Sequence, residues 1–424
     1  NFLKNIYSMY IFRPLTRLYS SETSILSTFK KINKKIMKVN FINRCIKLMV
    51  PTDEKKAVSV KKKDYRVYVV IPAYNEELNI GECINHAFNQ TVKPEKVIVV
   101  DDCSTDRTVE MCKLAKGKYR DLVIIEKEKN MGKSHSLSHA MKNFFLGDVA
   151  IFLDADTFMS KNYIEEIVKP FDDEKVMIST GISTPIMQRN IFGRIIFRGS
   201  VFQYLFFCFR KEAQMIRNAV SVVCGDSAAY RASFLKKVGK FPEGTNVEDM
   251  DMTWKTLEMG HRISFQKNAF VRCVDPSTFK GHCKQVFRWY TGGFQCLYKH
   301  GRNLFKAKSL FLTTLMPTYF DIFVYSPIFI SGPVLFFFFP EFFTWFYFAD
   351  LLFTVFSLTY IDKRMLLNLP EVYIIKFLWC SLWLTAAFKV TFEYIGGTRR
   401  WNSTWNRDEF YATPKDINLI GMEK

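Results

Sequence analysis

Three short apolar runs, each followed closely by acidic or amide side chains, constrain this chain more than any other feature. Tyr65-Arg-Val-Tyr-Val-Val-Ile-Pro72 leads to Asn75 and Glu76, Lys96-Val-Ile-Val-Val100 to Asp101 and Asp102, and Val149-Ala-Ile-Phe-Leu153 to Asp154 and Asp156. Runs this short and this rich in Val and Ile read as buried strands. Helical stretches separate them: Glu76 to Phe88, a segment capped by Ser104-Thr-Asp-Arg-Thr and running to Lys116, and Ser134 to Phe145, with Leu122 to Ile125 as a further strand. Strands alternating with helices predict a largely parallel, doubly wound α/β sheet. Such sheets bind ligands beyond the carboxyl ends of their strands. The acids stand at those ends, so one pocket is expected to collect them.

The chain has 424 residues, 48% of them hydrophobic and 24% charged, enough for one large α/β domain and a few membrane segments. Two apolar blocks, Leu310 to Tyr360 and Val372 to Tyr394, are long on the scale of the ~20 residues that span a bilayer. The net charge of +19 suits an anionic membrane surface, a diphosphate, an acidic polymer or nucleic acid, and so discriminates little among partners. The 10 cysteines contain no C-x-x-C pair, which supports neither a disulfide framework nor a zinc site and fits a reducing, cytosol-facing domain. From Asn1 to Val50 the chain is rich in Lys, Arg and Ser, with Glu22 as its only acid. This segment reads as a transit peptide or, preferably, as a basic stretch lying on a membrane surface.

Asp154-Ala-Asp156 ends an apolar strand, where residues two apart face the same way, so both carboxylates can approach one hard cation. A helix-capping Asp pair is the plainer alternative. Gly132-Lys133-Ser134 resembles the end of a nucleotide-triphosphate loop, but the first glycine that motif requires is Lys127 here, and the reading fails. Val247-Glu248-Asp249 precedes a helix expected from Met250 to Met259, and the two acids would suit its first turn. Ile191 to Lys211 carries Arg194 and Arg198 one helical turn apart among Phe and Ile, the pattern of an interfacial helix. The histidines, among them His135, His139 and His282, lack metal-ligand spacing.

Taken in order, Pro72-Ala-Tyr-Asn-Glu76, Val99-Val-Asp-Asp102 with Ser104-Thr-Asp106, Asn130-Met-Gly-Lys133 and Asp154-Ala-Asp156 make a set that resembles the family 2 glycosyltransferases. The resemblance covers about residues 65 to 298 and implies a GT-A-type doubly wound mixed sheet followed by interfacial and transmembrane helices. It assigns donor binding to Pro72, Tyr74, Glu76, Asp102, Lys133 and Asp154, with Lys133 near the diphosphate, and metal binding to Asp154 and Asp156. Asp249, beside Glu248, matches the place of the catalytic carboxylate. Cys224-Gly-Asp-Ser-Ala-Ala-Tyr-Arg231 resembles the acceptor-side segment and points to Gly225 and Asp226, where a small residue admits close backbone approach. Gln285-Val-Phe-Arg-Trp289 fits the Q-x-x-R-W signature of processive members such as hyaluronan, chitin, cellulose and poly-N-acetylglucosamine synthases. Trp289 would offer a flat face to a pyranose ring and Arg288 a bidentate clamp, with Gln285 beside them. Arg400-Trp-Asn-Ser-Thr404 faintly resembles the tail of hyaluronan synthases.

The expected organisation is a basic segment and linker over 1–64, the glycosyltransferase domain over 65–300, membrane helices over 301–396 and a cytosolic tail over 397–424. Lys299, Arg302, Lys306 and Lys308 place the first membrane entry on the cytosolic side, and Arg399, Arg400 and Arg407 place the tail there too. Two spans are favoured, with the part near Asp321 lying at the interface or re-entering; three spans with an external tail is the alternative. The expected activity is inverting transfer from a UDP-sugar to a growing β-linked polysaccharide, with Mg²⁺ or Mn²⁺. A lipid acceptor, polyprenyl phosphate or ceramide, is the alternative, and a silent nucleotide-sugar-binding module a third reading. Membrane lipid is an expected partner, and nucleic acid is not.

Overall fold

The computed structural model describes residues 64–144, 147–186, 190–304 and 316–397. The expectations for the basic segment, for Lys306 and Lys308, and for the arginines and Arg400–Thr404 motif of the tail lie outside the described residues.

Eight strands form one mixed sheet. They are β1 (Val67–Ala73), β2 (Lys96–Asp101), β3 (Leu122–Glu126), β4 (Val149–Leu153), β5 (Thr157–Met159), β6 (Val176–Pro185), β7 (Ser227–Arg231) and β8 (Arg262–Cys273), in the order β3-β2-β1-β4-β7-β6-β8-β5. The first four pair in parallel, and helices α1 (Ile80–Phe88), α2 (Thr108–Lys118) and α3 (Lys133–Asn143) are the crossovers between them. This half is the doubly wound arrangement expected from the sequence. The other half is mixed: β7 runs antiparallel to both β4 and β6, while β6 and β8 are parallel.

Residues alternate between two cores because successive side chains of a strand point to opposite faces. On one face Val67, Val69 and Ile71 pack with Ile80, Ile84, Val97 and Val99, and with α4 (Tyr163–Val168). On the other, Tyr68, Val70, Ile98 and Val100 meet Leu137, Phe152 and Phe241, and residues of α6 (Ala232–Val238) and α7 (Glu248–Glu258). Each fully buried aliphatic side chain contributes about 1.5–3 kcal/mol. Together they make a rigid floor that fixes the strand ends.

Two long helices adjoin this domain. α5 (Ile191–Met215) starts at Asn190, whose side chain accepts the Gly193 amide at 2.6 Å, and α8 (Phe279–Leu304) carries the Gln285–Trp289 segment. Beyond them come α9 (Met316–Phe320), a π-helical turn (Asp321–Tyr325), α10 (Ser326–Leu335), α11 (Pro340–Asp362) and α12 (Leu369–Ile395). Among the described residues, Pro340–Thr359 and Met365–Ile395 are long and apolar enough to cross a membrane by length and composition, whereas Phe323–Leu335 is shorter. Asp350 of α11 is buried and ties the π-helical turn, α11 and α12 together: it accepts the hydroxyls of Tyr325 and Tyr373 at 2.8 Å each and pairs with Lys376.

The segment read as an interfacial helix is packed more fully than that reading implies. Ile191 and Phe192 are exposed at its start, but Arg198 pairs with Glu371 of α12 at 3.1 Å, and Gly199 lies against Ile375 with no room for a Cβ. Ile196, Phe197, Val201 and Phe202 are buried in clusters shared with α8, α11 or α12. The expected domain boundary at residue 300 falls within α8.

Candidate active site

The loops after β1 and β2 are laced to each other. Asn75, in left-handed backbone (φ 52), donates its amide to Ser104 Oγ at 3.0 Å and accepts the Thr105 amide on Oδ1 at 2.8 Å. The Glu76 amide donates to Thr108 Oγ1 at 2.6 Å, and the Glu76 carboxylate accepts from Asn79 Nδ2 at 3.1 Å. Tyr74 is half-buried in the same loop, and Pro72 is half-buried near the end of β1. Asp102 is buried and serves the next loop. It accepts the amides of Gly132 at 2.6 Å and Met131 at 3.1 Å and pairs with Lys127. Gly132 has φ 87, a conformation glycine takes without strain. Asp102, one of the residues expected at the donor, thus fastens the chain leading into Lys133.

Lys133 opens α3 and joins two acidic groups. Its ammonium reaches Asp154 Oδ1 at 2.6 Å, Glu248 Oε1 at 3.1 Å and the Gly225 carbonyl at 3.0 Å. Asp154 follows β4 and Asp156 lies in the turn into β5, where Thr157 donates its amide to the Asp154 carbonyl at 3.0 Å. A turn, rather than strand alternation, brings the pair together. The antiparallel pairing of Leu153 with Ser227 adds a third acid: the Asp154 amide donates to the Asp226 carbonyl at 2.9 Å, and the Asp226 carboxylate accepts from Ser183 and Ser227. Asp226, expected on the acceptor side, therefore stands beside the metal-site candidates.

Glu248 and Asp249 are the first residues of α7, which starts two residues earlier than expected and holds both carboxylates at its positive end. Gly225 makes room for Asp249, because a Cβ at 225 would lie 2.6 Å from Asp249 Oδ2. From α8, Arg288 donates to the Asn246 carbonyl at 3.1 Å, and its charge acts on both Glu248 and Asp249. Trp289 is half-buried, with Tyr204 edge-on at 6.3 Å. Gln285 is only 8% exposed and donates its amide to Asp275 Oδ1 at 3.4 Å, so it lies behind the site's surface.

The electrostatics follow from this crowding. Burial, then the charges of Asp154 and Asp226, push the Asp156 carboxyl up to about 8, and Asp154 is raised by burial against the pull of Lys133. Burial would raise Glu248 too, but Lys133 and Arg288 hold it below the ordinary range. Asp249 is pushed up to about 6 by burial and by Glu248. Burial disfavours the Lys133 ammonium, yet Asp154 and Glu248 outweigh it and keep it charged. Two neighbouring acids are thus driven apart, leaving Asp249 as the more basic carboxylate.

No three acidic, His or Cys side chains among the described residues are grouped to hold an ion by themselves. Asp154 and Asp156 still fit one: hard oxygen donors whose mutual repulsion a divalent cation would relieve suit an ion completed by substrate phosphate oxygens. Sequence reasoning missed Asp275, which has no motif around it, and the bridging position of Lys133, which depends on contacts 21 and 115 positions apart in sequence (154 − 133 and 248 − 133).

A mixed sheet with acids gathered at the strand ends and a basic bridge between them is the frame of a GT-A-type glycosyltransferase domain. Residues 68–239 match the model of Glycosyl transferase family 2. The chain carries a family 2 glycosyltransferase domain. The poly-beta-1,6-N-acetyl-D-glucosamine synthase of Staphylococcus aureus (strain COL) is 26% identical over 248 residues, 58% of this chain and 59% of that protein. The enzyme of the same description from Staphylococcus epidermidis is 25% identical over the same shares. The chain thus spans about three fifths of the length of these curated relatives. A solved mannosyltransferase from Pyrobaculum calidifontis, in complex with GDP-Man and Mn²⁺, superposes with a TM-score of 0.60 at 19% identity, covering 87% of this chain and 98% of that one.

Proposed function

We propose that this protein is a membrane-associated inverting glycosyltransferase that moves a sugar from a UDP-sugar to a growing β-linked polysaccharide, with its catalytic domain facing the cytoplasm. The observation that carries the reading is the bridge of Lys133 between Asp154, at the donor end, and Glu248, beside Asp249. It sets a diphosphate site and a basic carboxylate side by side, as one-step displacement requires. Asp249 takes the proton of the acceptor hydroxyl as that oxygen attacks the anomeric carbon. The bond from that carbon to the diphosphate breaks, and UDP leaves with the electron pair. Glu248, held ionised, keeps Lys133 in place. Asp154 and Asp156 would hold Mg²⁺ or Mn²⁺, which offsets charge on the departing diphosphate. Arg288 and Trp289 face the acceptor, where a pyranose can stack on the indole.

The printed names of the curated relatives support N-acetylglucosamine as the sugar; glucuronate is the candidate second donor, with glucose or mannose behind. Membrane association is supported by the two apolar helices. The test is release of the nucleoside diphosphate from a panel of nucleotide-sugars with Mn²⁺ by membranes carrying the protein, followed by sizing of the products and repetition with Asp249→Asn. Long product from one donor, lost in the variant, supports the proposal. A single-sugar lipid product moves the assignment to a lipid acceptor, and absence of release from every donor leaves a binding module.

A further inference from the structure

The Trp289 platform is held by a carboxylate outside every motif of the site. β8 ends at Cys273, and the Val274 amide donates to the Asp156 carbonyl at 3.1 Å, fixing the next residue against the acidic turn. That residue, Asp275, is 5% exposed and accepts the Tyr204 hydroxyl at 3.2 Å on each oxygen, and the Gln285 amide at 3.4 Å. Tyr204 belongs to α5 and Gln285 to α8, so one carboxylate joins the sheet to both helices. Both contacts lead to Trp289. Gln285 and Trp289 are four residues apart and share a helix face. Tyr204 meets the indole edge-on, the rings inclined by 82°. The Gln285 Oε1 atom is buried without a partner, so that oxygen does not orient the side chain.

We propose that Asp275 is a positioning residue for the acceptor: through Tyr204 and Gln285 it fixes the Trp289 ring on which the terminal sugar stacks. The proposal rests on the reading of Trp289 as the acceptor platform. A sugar stacked on a fixed ring binds without the cost of ordering that ring, and freeing it weakens the acceptor side while the donor side, anchored on Lys133 and the acidic turn, keeps its geometry.

The test compares the wild type with Asp275→Ala, Tyr204→Phe and Asp275→Asn. The probes are UDP-N-acetylglucosamine as donor and a soluble β-1,6-linked N-acetylglucosamine oligosaccharide as acceptor. Oligosaccharide affinity is read by calorimetry, and KM for each substrate by initial rates. Asp275→Ala and Tyr204→Phe are expected to raise the oligosaccharide Kd and KM about tenfold and to move the donor KM less than about twofold. Tyr204→Phe keeps the ring and so tests the same link with little risk to folding. Asp275→Asn restores binding, because its oxygen still accepts from Tyr204 and its amide donates to Gln285 Oε1. Unchanged oligosaccharide binding in Asp275→Ala and Tyr204→Phe overturns the positioning role alone, as does an equal rise in both KM values. A wild type that does not bind the oligosaccharide overturns the acceptor platform, and the positioning role with it.

Discussion

Gly225 and Asp249 fit each other through the absence of a side chain: a Cβ on Gly225 would come within 2.6 Å of Asp249 Oδ2 and 2.9 Å of its Cγ. A methyl group there has to move the carboxylate. Gly225→Ala is expected to lower kcat about 100-fold, the scale of a 1 Å misplacement of a reacting group, with little change in melting temperature. Initial rates and a thermal melt on one preparation check this. Wild-type kcat in a folded variant would show that Asp249 does not act from its present position.

The Asp249 carboxyl is held up at about 6. A base works only when deprotonated, so the transfer rate is expected to fall tenfold per pH unit below about 6 and to level off above it. The stability sign is the reverse of a salt-bridged acid. Between 3.8 and about 6 the folded protein binds a proton that the unfolded chain has lost, so stability falls as pH rises through that window. Asp249→Asn removes the effect. It should abolish transfer and melt at a higher temperature than the wild type at pH 7.5, and a variant that melts lower at that pH contradicts this account.

Lys133 is the ammonium shared by Asp154 and Glu248, and Lys133→Met leaves both partly buried carboxylates without it. Loss of one preorganised charge at such a site costs about 10²–10³ in rate. The donor KM should rise as well, and Lys133→Arg should recover part of the loss. Steady-state kinetics against donor concentration separate this from a folding defect, in which the active fraction falls and KM stays fixed.

Asp251, one turn into α7, is 1% exposed and accepts from His300 Nε2 at 2.9 Å, Lys299 at 2.6 Å and Thr245 at 3.2 Å, while His300 Nδ1 meets Glu258 at 3.0 Å. This clasp holds α7 on α8. Asp251→Ala is expected to cost on the order of 3 kcal/mol, because it strands a largely buried histidine beside one carboxylate. Burial lowers the His300 pKa, but Asp251 and Glu258 outweigh it and raise the value. The histidine's stabilisation is therefore complete below 6.5 and fades as pH rises through the raised value. Melting curves from pH 6 to 9 should show that slope in the wild type and a flatter one in Asp251→Ala.

Local pattern made the parallel half of the sheet legible: Val67–Ala73, Lys96–Asp101 and Val149–Leu153 are strands because they are short, β-branched and bounded by polar loops. The acids at their ends were legible for the same reason. Long-range pairing was not. Asp226 reaches Asp154 only through the antiparallel pairing of β4 and β7, and no feature near Asp226 announces a partner 72 residues earlier (226 − 154). Arg198 looked like a residue of a membrane surface because its partner, Glu371, stands 173 positions away. Helix periodicity reveals which side is apolar but not which neighbour covers it.

The shared packing of α5 and α8 with α11 and α12 bears on how this protein can be divided. Phe197, Val201 and Phe202 lie with Leu358 and Val372, Ile196 and Val286 with Ile375 and Trp379, and Phe294 with Ala386 and Val390. A truncated enzyme ending after residue 304 would turn these seams into one bare apolar stripe along the two helices that carry Tyr204 and Trp289. Water-soluble production of the transferase half would need that stripe redesigned. Among the described residues, no cleavage plane separates the glycosyltransferase domain from the apolar helices that follow it.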